Sequence, residues 1–427
     1  MKICFINRYF YPFIGGVEFH IQNLSKKLIE LGHDVYIITS NKNRQNPAEI
    51  LSKAEIYEEI KVIRVKSFKE LKEELIKGGF EVVHSHFSRT VFSAAGIILA
   101  KKYCKNARII FTPHCFYPAK NINSFLKKII FDNTLGINSF RKADTMICLT
   151  ENDKADAVRL GMNKDKITII PNSINFSEFN NKVISGAFCE RFKINKYILF
   201  VGRIDYVKRI DFLIEGMKYL KLDGYNLAVI GAGEENQVQK LKELAKTLEV
   251  EENVKFCGKV SFDELASAYQ SCELLALPSS YEGLPTVILE AMALGKVVAA
   301  AASGGTSFVI NHGENGFLFE YNNLEDYCKV VKNLKKYDIS KIGEKAKETV
   351  KQNYSWESNV YKIIDVYRAN TKVRIGNIYI DNLSMDECIA RIEDLIRSGR
   401  KSYVVTPNVD HIVKLQRDEE FLEAYRG

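Results

Sequence analysis

Residues 274–295 read LLALPSSYEGLPTVILEAMALG, a strand, a loop and a helix in the order that builds a parallel α/β sheet. We expect the strand to end at Pro278. Proline is favoured in the first helical turn, so we expect the helix to begin at Pro285. It should run to Leu294, with Gly295 ending it. The rest of the chain repeats this strand–loop–helix unit, so the unit indicates the architecture of the whole.

Two glutamates stand out in this apolar stretch. Glu282 lies in the predicted loop, and Glu290 lies about a turn and a half into the predicted helix. An ionised carboxylate that is buried without a partner costs several kcal/mol or takes up a proton, so each needs something to bind. Glu290 could pair with a lysine across the core. It could equally bind a polyol, since a carboxylate accepts two hydroxyl groups at once.

Short β-branched runs alternate with amphipathic helices in both directions from this stretch, which predicts an α/β fold with parallel sheets. The predicted strands are MKICFI, DVYIITS, KVIRV, EVVHSH, ARIIFTP, TMICLT and KITIIP in a first unit, and YILFVG, NLAVIG, NVKFCG, LLALP, KVVAAA and GFLF in a second. We therefore predict two doubly wound domains, residues 1–175 and 176–353, which join near residues 171–179.

The pattern changes near the end of the sequence. Residues 354–371 are predicted to form a terminal helix. After it, VRIGNIYID reads as a strand pair, SMDECIARIEDLIRSG as a capped helix starting at Ser384, and KSYVVTPN as another strand. The 56 residues after position 371 are barely enough for a complete domain, so residues 372–427 are expected to be a partial module.

The composition is that of an ordinary soluble globular protein, with 46% hydrophobic and 27% charged residues. The apolar runs are shorter than the ~20 residues that span a bilayer. Nine cysteines without a C-x-x-C pair favour a reduced, cytoplasmic chain.

The net charge of +8 comes from the first unit, because residues 1–175 contain 27 Lys and Arg against 17 Asp and Glu. Residues 82–131 contain no acidic side chain. Their eight basic residues are Arg89, Lys101, Lys102, Lys105, Arg108, Lys120, Lys127 and Lys128. Such a stretch favours an anionic partner, either a membrane surface or a phosphate-bearing substrate, although it also fits a solvated basic face.

Ligands of open α/β sheets bind outside the carboxyl ends of strands, and four loops take such positions. FIGG at 13–16 could admit a ligand close to the backbone or be only a tight turn. After the strand YILFV come Arg203 and Lys208, two cations that suit a diphosphate, with surface salt bridging as the alternative. IGAGEEN at 230–236 lacks the last glycine of a dinucleotide fingerprint. The fourth loop carries Glu282.

Three histidines sit at predicted carboxyl ends of strands in the first unit: His84, His86 and His114. A lone histidine is more often structural, yet three at one sheet edge favour a cleft for at least one of them. The remaining histidines, His20, His33, His312 and His411, read as ordinary helix or loop residues.

Together these residues resemble the retaining glycosyltransferases of the GT-B fold, specifically the large family 4, often called glycosyl transferases group 1. The family motif E-x7-E appears as Glu282 and Glu290, and the resemblance covers residues 1 to about 370. The other matching segments are YPFIGGVEFHIQNLSKKLIELGHDV, ADTMICLTE, ITIIPNSI, LFVGRIDYVKRIDFLIEGM, VKFCGKVSFDELASAYQSCELLALPS, NGFLF and YSWE.

The resemblance implies two Rossmann-like domains facing a cleft, the first binding the acceptor and the second a nucleotide-sugar. It implies transfer with retention of configuration, without a metal or other cofactor. Glu290 would hold the ribose hydroxyls, and Glu282 and His114 would lie by the donor sugar. Arg203 and Lys208 would neutralise the departing diphosphate. The other donor-binding residues it implies are Gly15, Gly16, Val260, Gly283, Leu284, Pro285 and Thr286, with the base near Lys259 and Val260.

The sequence departs from the family pattern in three places. Phe308 stands where a glutamate is usual, which makes donor-sugar contacts in that loop less certain. Ser173 and Asn175 stand where glycine and aspartate are common, and Arg209 replaces a glycine. None of these changes removes a charged group from the expected diphosphate site. The resemblance also implies that the helix from Trp356 crosses back to the first domain.

The tail resembles the beginning of a different family, the WecG/TagA/CpsF glycosyltransferases, which act on polyprenyl-diphosphate-linked sugars. Thr406-Pro407-Asn408 carries this likeness. The catalytic segment of that family lies further on than position 427. The tail is therefore expected to be a truncated or split module without activity of its own.

Our leading hypothesis is a glycosyltransferase at the inner face of the membrane that extends a lipid-linked or otherwise anionic acceptor during cell-surface polysaccharide assembly. Its partners would be a nucleotide-sugar donor (UDP- or GDP-), that acceptor and an anionic membrane surface, without nucleic acid. One alternative is a nucleotide-sugar-binding partner subunit without turnover. Another is a dinucleotide-dependent dehydrogenase or epimerase, which the broken fingerprint at Gly231 disfavours.

Overall fold

The computed structural model describes most of the chain. The described residues are 1–13, 15–44, 46, 48–86, 90–114, 122–180, 186–368, 372–375, 378–381, 385–397, 404–406 and 409–426. Several residues named above lie outside them: Ile14, Arg89, Lys120, Ser384, Pro407 and Asn408. The chain forms two compact units, residues 1–359 and 360–427.

The first part of unit 1 is an eight-stranded sheet in the order β3-β4-β2-β1-β5-β6-β7-β8, parallel except for β3. Its elements are β1 (Lys2–Ile6), α1 (Gly16–Glu30), β2 (Asp34–Ser40), β3 (Ala54–Tyr57), β4 (Ile60–Val65), α2 (Phe68–Gly78), β5 (Val82–His86), α3 (Val91–Tyr103), β6 (Arg108–Thr112), α4 (Ile122–Phe131), α5 (Ile137–Lys142), β7 (Thr145–Cys148), α6 (Glu151–Arg159) and β8 (Ile167–Ile169). The central strands are buried on both faces, which is why they read as continuous apolar runs.

The second part of unit 1 is a six-stranded parallel sheet in the order β11-β10-β9-β12-β13-β14. Its elements are α7 (Phe176–Asn180), α8 (Ala187–Phe192), β9 (Tyr197–Val201), α9 (Ile210–Leu220), β10 (Asn226–Ile230), α10 (Glu235–Thr247), β11 (Val254–Gly258), α11 (Phe262–Ser271), β12 (Leu274–Leu277), α12 (Thr286–Ala293), β13 (Val298–Ala301), α13 (Thr306–Val309), β14 (Phe317–Phe319), α14 (Leu324–Asn333) and α15 (Ile339–Asn353). Numbered from β9, this is the doubly wound order 3-2-1-4-5-6.

The remaining elements are α16 (Trp356–Arg368), β15 (Lys372–Ile375), β16 (Ile378–Asp381), α17 (Met385–Arg397), α18 (Val409–Lys414) and α19 (Glu419–Arg426). The strands β15 and β16 form the antiparallel pair read from VRIGNIYID. The predicted strand KSYVVTPN is wrong for its described part, since residues 404–406 form no strand. In the described part of the chain, no helix has the length and apolarity needed to cross a bilayer.

Two boundaries differ from the sequence expectation. Pro285 is the N-cap of α12 with an extended ψ of 118°, so the helix starts one residue later, at Thr286. The helix ends at Ala293, and Gly295 follows with φ +69°. The edge strand β3 was not predicted. It alternates between exposed and half-buried side chains, so AEIY has no apolar run to mark it.

Candidate active site

Each sheet has one point where neighbouring strands lead off in opposite directions, and the crevice there is where ligands bind in this architecture. In the first sheet this switch point lies between β1 and β5, and in the second between β9 and β12. The loops after β9 and β12 carry Lys208 and Glu282. The arrangement of strands therefore brings together two predicted residues that lie 74 positions apart in sequence.

Lys208 and Glu282 form an ion pair, with Lys208 Nζ 2.5 Å from Glu282 Oε1. Both side chains are largely buried, at 17% and 7% exposure. The position of Lys208 is set by Asp205, whose Oδ1 accepts hydrogen bonds from the backbone N–H groups of Val207 and Lys208. A buried pair of this kind is costly to break from one side, because the remaining charge is left without a partner.

Arg203 is placed differently. Its Nη2 lies 3.2 Å from Asp205 Oδ2, and its side chain remains 68% exposed. The structure thus gives the two predicted cations different surroundings, one held inside by Glu282 and one on the surface beside Asp205.

The Glu282 loop rests directly on the backbone of another loop. The amide of Gly305 donates a hydrogen bond to the carbonyl oxygen of Glu282 at 2.8 Å. A Cβ on Gly304 would come within 2.2 Å of the Glu282 carbonyl oxygen, and one on Gly305 within 1.5 Å of the Gly283 carbonyl oxygen. Only glycines allow this approach, so the pair at 304–305 fixes the backbone on which Glu282 is presented.

Glu290 is buried inside α12, and its hydrogen-bond partner lies on the neighbouring helix α11. The hydroxyl of Tyr269 donates to Glu290 Oε2 at 2.7 Å. Burial raises the pKa of Glu290 to about 7, and hydrogen bonds from Tyr269 and Thr286 oppose that rise. Glu290 is therefore near the midpoint of its titration at neutral pH. Its observed partner is the hydroxyl group of Tyr269, and not the lysine across the core that the sequence also allowed.

The residues after Glu282 line the start of α12. Leu284 and Pro285 are buried, while Gly283 and Thr286 are half-buried. The Leu284 carbonyl oxygen accepts a hydrogen bond from Asn172 Nδ2 at 2.9 Å. Because Asn172 follows β8, this bond ties the loop of the second sheet to the first.

Near the base-binding segment, Val260 is half-buried against the core of the second sheet. Lys259, beside it, is exposed.

The N-terminus of α1 is the first of the predicted glycine loops. The amide of Gly15 donates a hydrogen bond to Glu18 Oε2 at 3.0 Å, so this N-terminal amide is already paired with a side chain of its own helix. Asn7 Nδ2 donates to the other oxygen of Glu18 at 3.0 Å, and burial raises the pKa of this carboxyl group. Gly16 has open space where a side chain would stand. Of the two glycines, Gly16 is therefore the one whose backbone a ligand could approach closely.

Four histidines form a buried cluster at the carboxyl edge of the first sheet: His20, His84, His86 and His114. His86 Nδ1 and His114 Nε2 are hydrogen-bonded at 3.0 Å, and His84 Nε2 bonds Thr112 Oγ1 at 2.8 Å. The expectation that His20 is an ordinary helix residue is wrong, because its ring lies 4.9 Å from that of His114 and 5.2 Å from that of Trp356.

The cluster is uncharged at neutral pH. Burial lowers the pKa of His20 to about 4 and, together with the neighbouring imidazoles, lowers the pKa of His84, His86 and His114 well below the usual value. Of the described residues, His20, His86 and His114 have the spacing to hold a metal ion, with one ring nitrogen of each within 4.8 Å of the others. A metal there would have to replace the hydrogen bond between His86 and His114.

A cavity of about 250 Å³ lies between the two sheets. The second sheet contributes Tyr281, Glu282, Gly283, Gly304 and Gly305, and the first contributes Thr150, Asn152, Asp153, Ala155 and Asp156. A larger cavity, about 610 Å³, lies between α9 and α14 but is lined by none of the predicted site residues. The smaller cavity is the one that borders the candidate site.

The departures from the family pattern have structural consequences. Arg209 adopts a left-handed conformation with φ +51°, the conformation that glycine adopts most easily. Its side chain bonds Asp211, and Phe308 is 42% exposed. The hydroxyl of Ser173 accepts a hydrogen bond from Asn359 Nδ2 at 2.9 Å.

Sequence reasoning missed Glu18, Tyr269 and Asn172, and misread His20. Tyr269 follows Phe262 and Leu265 at seven and four positions on α11, which marks it as facing inward. That spacing predicts burial of Tyr269, but a contact with Glu290 depends on how two helices pack.

Family models match three segments of the chain. The model for glycosyl transferases group 1 matches residues 190–356, that for Glycosyltransferase Family 4 matches residues 14–178, and that for the WecG/TagA/CpsF family matches residues 373–427. These matches confirm the resemblances drawn from the sequence.

Curated relatives cover most of the chain at low identity. An uncharacterized glycosyltransferase of Methanocaldococcus jannaschii is 27% identical over 389 residues, 84% of this chain and 96% of its own. The GPI3 subunit of phosphatidylinositol N-acetylglucosaminyltransferase of Saccharomyces cerevisiae is 24% identical over 384 residues, 86% of this chain and 82% of its own. An uncharacterized protein in the cps region of Klebsiella pneumoniae is 29% identical over 311 residues, 70% of this chain and 79% of its own.

Solved structures share the fold. Sucrose-phosphate synthase of Thermosynechococcus elongatus superposes with a TM-score of 0.71 at 18% identity, covering 86% of this chain and 98% of that one. Anabaena HepE in complex with UDP-glucose superposes with a TM-score of 0.68 at 17% identity and the same coverage. The predicted GT-B fold is thereby confirmed. Glycosyltransferase family models thus match two long segments of the chain, residues 14–178 and residues 190–356.

Proposed function

We propose that the protein is a metal-independent retaining glycosyltransferase that moves a sugar from a UDP- or GDP-sugar to a lipid-linked or other anionic glycan acceptor in cell-surface polysaccharide biosynthesis. The observation that carries the proposal is the pairing of Lys208 with Glu282 at the switch point of the second sheet. The buried Glu290 lies on α12, the helix that follows the Glu282 loop. A cation and two carboxylates at that edge match what a diphosphate, a sugar and a ribose require.

In this proposal Lys208 exchanges partners during the reaction. Before the donor arrives, its ammonium group is held by Glu282. The diphosphate, which carries more negative charge than the carboxylate, then replaces Glu282 as the partner of Lys208. The released carboxylate of Glu282 accepts hydrogen bonds from hydroxyl groups of the donor sugar. The bond from the anomeric carbon to the diphosphate breaks, the electron pair leaves with the phosphate oxygen, and Lys208 stabilises that charge. The acceptor oxygen bonds to the same face of the sugar, and its proton passes to the departing diphosphate oxygen.

Glu290 would accept the two ribose hydroxyls, which requires its ionised form. Gly16 and the loop of Gly283 to Thr286 would line the donor. The sugar would occupy the cavity of about 250 Å³ beside Glu282. His114 would face the sugar as a neutral hydrogen-bonding group, because its pKa is lowered well below the physiological range by burial.

The acceptor class is proposed from charge and from two relatives. Residues 1–175 carry 27 basic against 17 acidic side chains, which favours a phosphate-bearing acceptor. The yeast relative is named as a transferase to phosphatidylinositol, and the Klebsiella relative lies in a cps region. We also propose, on the same grounds, that the protein works on the cytoplasmic face of the membrane.

The test is a panel of UDP- and GDP-sugars scored by thermal stabilisation, since a ligand that binds only the folded chain raises Tm. UDP-glucose is the first donor to try. The stabilising donor is then assayed with polyprenyl-diphosphate-linked and phosphatidylinositol acceptors, and the anomeric configuration of the product is read by NMR. If Lys208→Ala and Glu290→Ala transfer sugar as fast as the wild type, the site assignment is wrong.

One alternative remains distinct, a nucleotide-sugar-binding partner subunit without turnover. It is favoured by the name of the yeast relative, which is a subunit. Donor binding measured by calorimetry, with no product in the acceptor panel, would support it over the enzyme.

A further inference from the structure

The helix α4 presents its apolar side to solvent. Five of its six apolar residues are between 41% and 68% exposed: Ile122, Phe125, Leu126, Ile129 and Ile130. At about 100° per residue these five lie within an arc of roughly 140° on one side of the helix. The opposite side carries Lys128 and Phe131, which are half-buried. We call the five residues the α4 face.

Another surface helix of the first sheet has a different pattern. In α2, Leu71 and Leu75 are buried against the core, while Phe68 and Ile76 are exposed. The helix α2 therefore buries part of its apolar surface, as a helix on a soluble domain normally does. The α4 face instead has five exposed apolar residues on one side of one helix, and a contiguous exposed apolar patch marks an interaction site.

The charge around the α4 face favours an anionic partner. Residues 82–131 contain no acidic side chain, and the first acidic residue after them, Asp132, is buried. Lys127 is exposed on the same helix. Lys102 is also exposed, while Lys101 is paired with Asp144. Exposed apolar side chains on a helix with an exposed lysine, in a stretch of sequence without acidic residues, are what a bilayer interface containing anionic lipid attracts.

We propose that the α4 face inserts into the interface of an anionic lipid bilayer and docks the first sheet on the membrane. The helix would lie in the plane of the headgroups, with the five apolar side chains among the upper acyl carbons and Lys127 reaching lipid phosphates. Because α4 starts eight residues after His114, the length of the chain limits how far the histidine edge of the cleft can lie from the bilayer.

The role that we give to this docking rests on the proposed function. The docking itself can be measured whether or not the protein transfers a sugar. Vesicle binding is measured on the full-length protein without donor or acceptor. Sugar transfer to a short water-soluble acceptor reports on the active site separately. A failure of docking with intact transfer, or the reverse, therefore tells the two proposals apart.

The decisive experiment is flotation of the full-length protein with phosphatidylcholine vesicles, with and without a third of phosphatidylglycerol. Binding is expected only with the anionic lipid. Ile122→Ser with Ile130→Ser should lower partitioning about tenfold or more. Ile56→Ser with Leu222→Ser, two comparably exposed apolar residues elsewhere, should leave it unchanged. Lys127→Gln should lower it about fivefold, and Lys240→Gln on α10 should not.

Equal binding by the two Ser double variants, or no preference for phosphatidylglycerol, would overturn the proposal. Light scattering after gel filtration identifies the competing occupant, a second copy of the chain. If Ile122→Ser with Ile130→Ser converts an oligomer to a monomer and leaves vesicle binding unchanged, the α4 face is a self-association surface and the membrane proposal is wrong.

Discussion

The first sheet surrounds its switch point with neutral rings, whereas the second sheet places charges there. Near the switch point of the first sheet lie the imidazoles of His20 on α1, His86 at the end of β5 and His114 after β6, each with a pKa lowered by burial. Between β9 and β12 lie Lys208 and Glu282, an ion pair at 2.5 Å. Both edges are buried, so the difference lies in whether each polar group has a partner that stabilises its charge.

Under the proposed function, this difference lets one architecture serve two parts of a substrate. Neutral imidazoles bind hydroxyl groups without attracting counter-ions, which suits a sugar. A buried lysine that can exchange its carboxylate partner for a phosphate suits a diphosphate, because the diphosphate gains negative charge as it leaves the sugar. We call the carboxyl edges of the first and second sheets the first edge and the second edge. The comparison predicts that substitutions at the second edge lower the rate of transfer most. Substitutions at the first edge should lower it less, by changing the positions of the histidine side chains.

The largest expected effect is the loss of Lys208. Lys208→Ala should lower kcat by about a hundredfold to a thousandfold, because charge developing on the diphosphate loses its stabilising cation. Steady-state transfer with the identified donor measures it. Lys332→Ala removes an exposed lysine paired with Asp223 and should have no effect.

Lys208→Ala also leaves Glu282 buried without its partner, so the variant should unfold more easily. Lys208→Met combined with Glu282→Gln removes both charges and should recover stability without recovering transfer. Recovery of both would show that the pair serves the fold and not the reaction.

The next effect concerns Glu290, whose pKa burial raises from 4.5 to about 7. Above pH 7 folding must bury the ionised carboxylate, whereas below pH 4.5 both folded and unfolded chains hold the proton and that cost is absent. Wild-type stability is therefore lost as pH rises from 4.5 to 7. Glu290→Gln should gain stability relative to wild type over this window, by as much as about 3 kcal/mol.

Urea unfolding at pH 5 and pH 8 measures this gain, with the exposed Glu344→Gln as the control that should not change with pH. Donor binding should move the opposite way, since glutamine cannot accept two ribose hydroxyls as a carboxylate does. A stability difference independent of pH would mean that Glu290 is not buried in its ionised form.

At the first edge the expected effect is smaller. His86→Ala removes the hydrogen bond that His86 Nδ1 makes to His114 Nε2, so the ring of His114 is no longer fixed. We expect kcat to fall about tenfold with little change in donor KM, as for a positioning residue. His84→Ala is the matched control, because His84 lies on the same strand, equally buried, but bonds Thr112.

Much of this fold follows from the sequence for a simple reason. Parallel strands that are covered on both faces must be apolar throughout, so runs such as YILFV and LLAL can be recognised as strands from the sequence. The edge strand β3 has no such requirement and was missed. Likewise, Glu282 and Lys208 were identified because they follow such strands, but their contact depends on β9 and β12 being neighbours. Sheet order is a three-dimensional property that no local pattern contains.

The histidine cluster shows a second limit. His84 and His86 end a strand, so their position at the sheet edge was predictable. His20 lies in the second turn of α1, and its place in the cluster is set by how that helix packs on the sheet. The pKa of about 4 for His20 is a consequence of that packing, since desolvation acts only once the ring is buried.

The smallest expected effect tests a feature that both edges share, a residue in the left-handed conformation. His114 has φ +61° and Arg209 has φ +51°. Arg209→Gly should be about 1 kcal/mol more stable than Arg209→Ala, because both lose the contact with Asp211 and only alanine keeps the strain of its Cβ. His114→Gly and His114→Ala should differ in the same direction, and thermal unfolding of the four variants measures both differences. If the difference appears at Arg209 but not at His114, the first edge can relax its backbone once the ring is removed. The left-handed turn there would then be imposed by the imidazole cluster, whereas at the second edge it would be built into the loop.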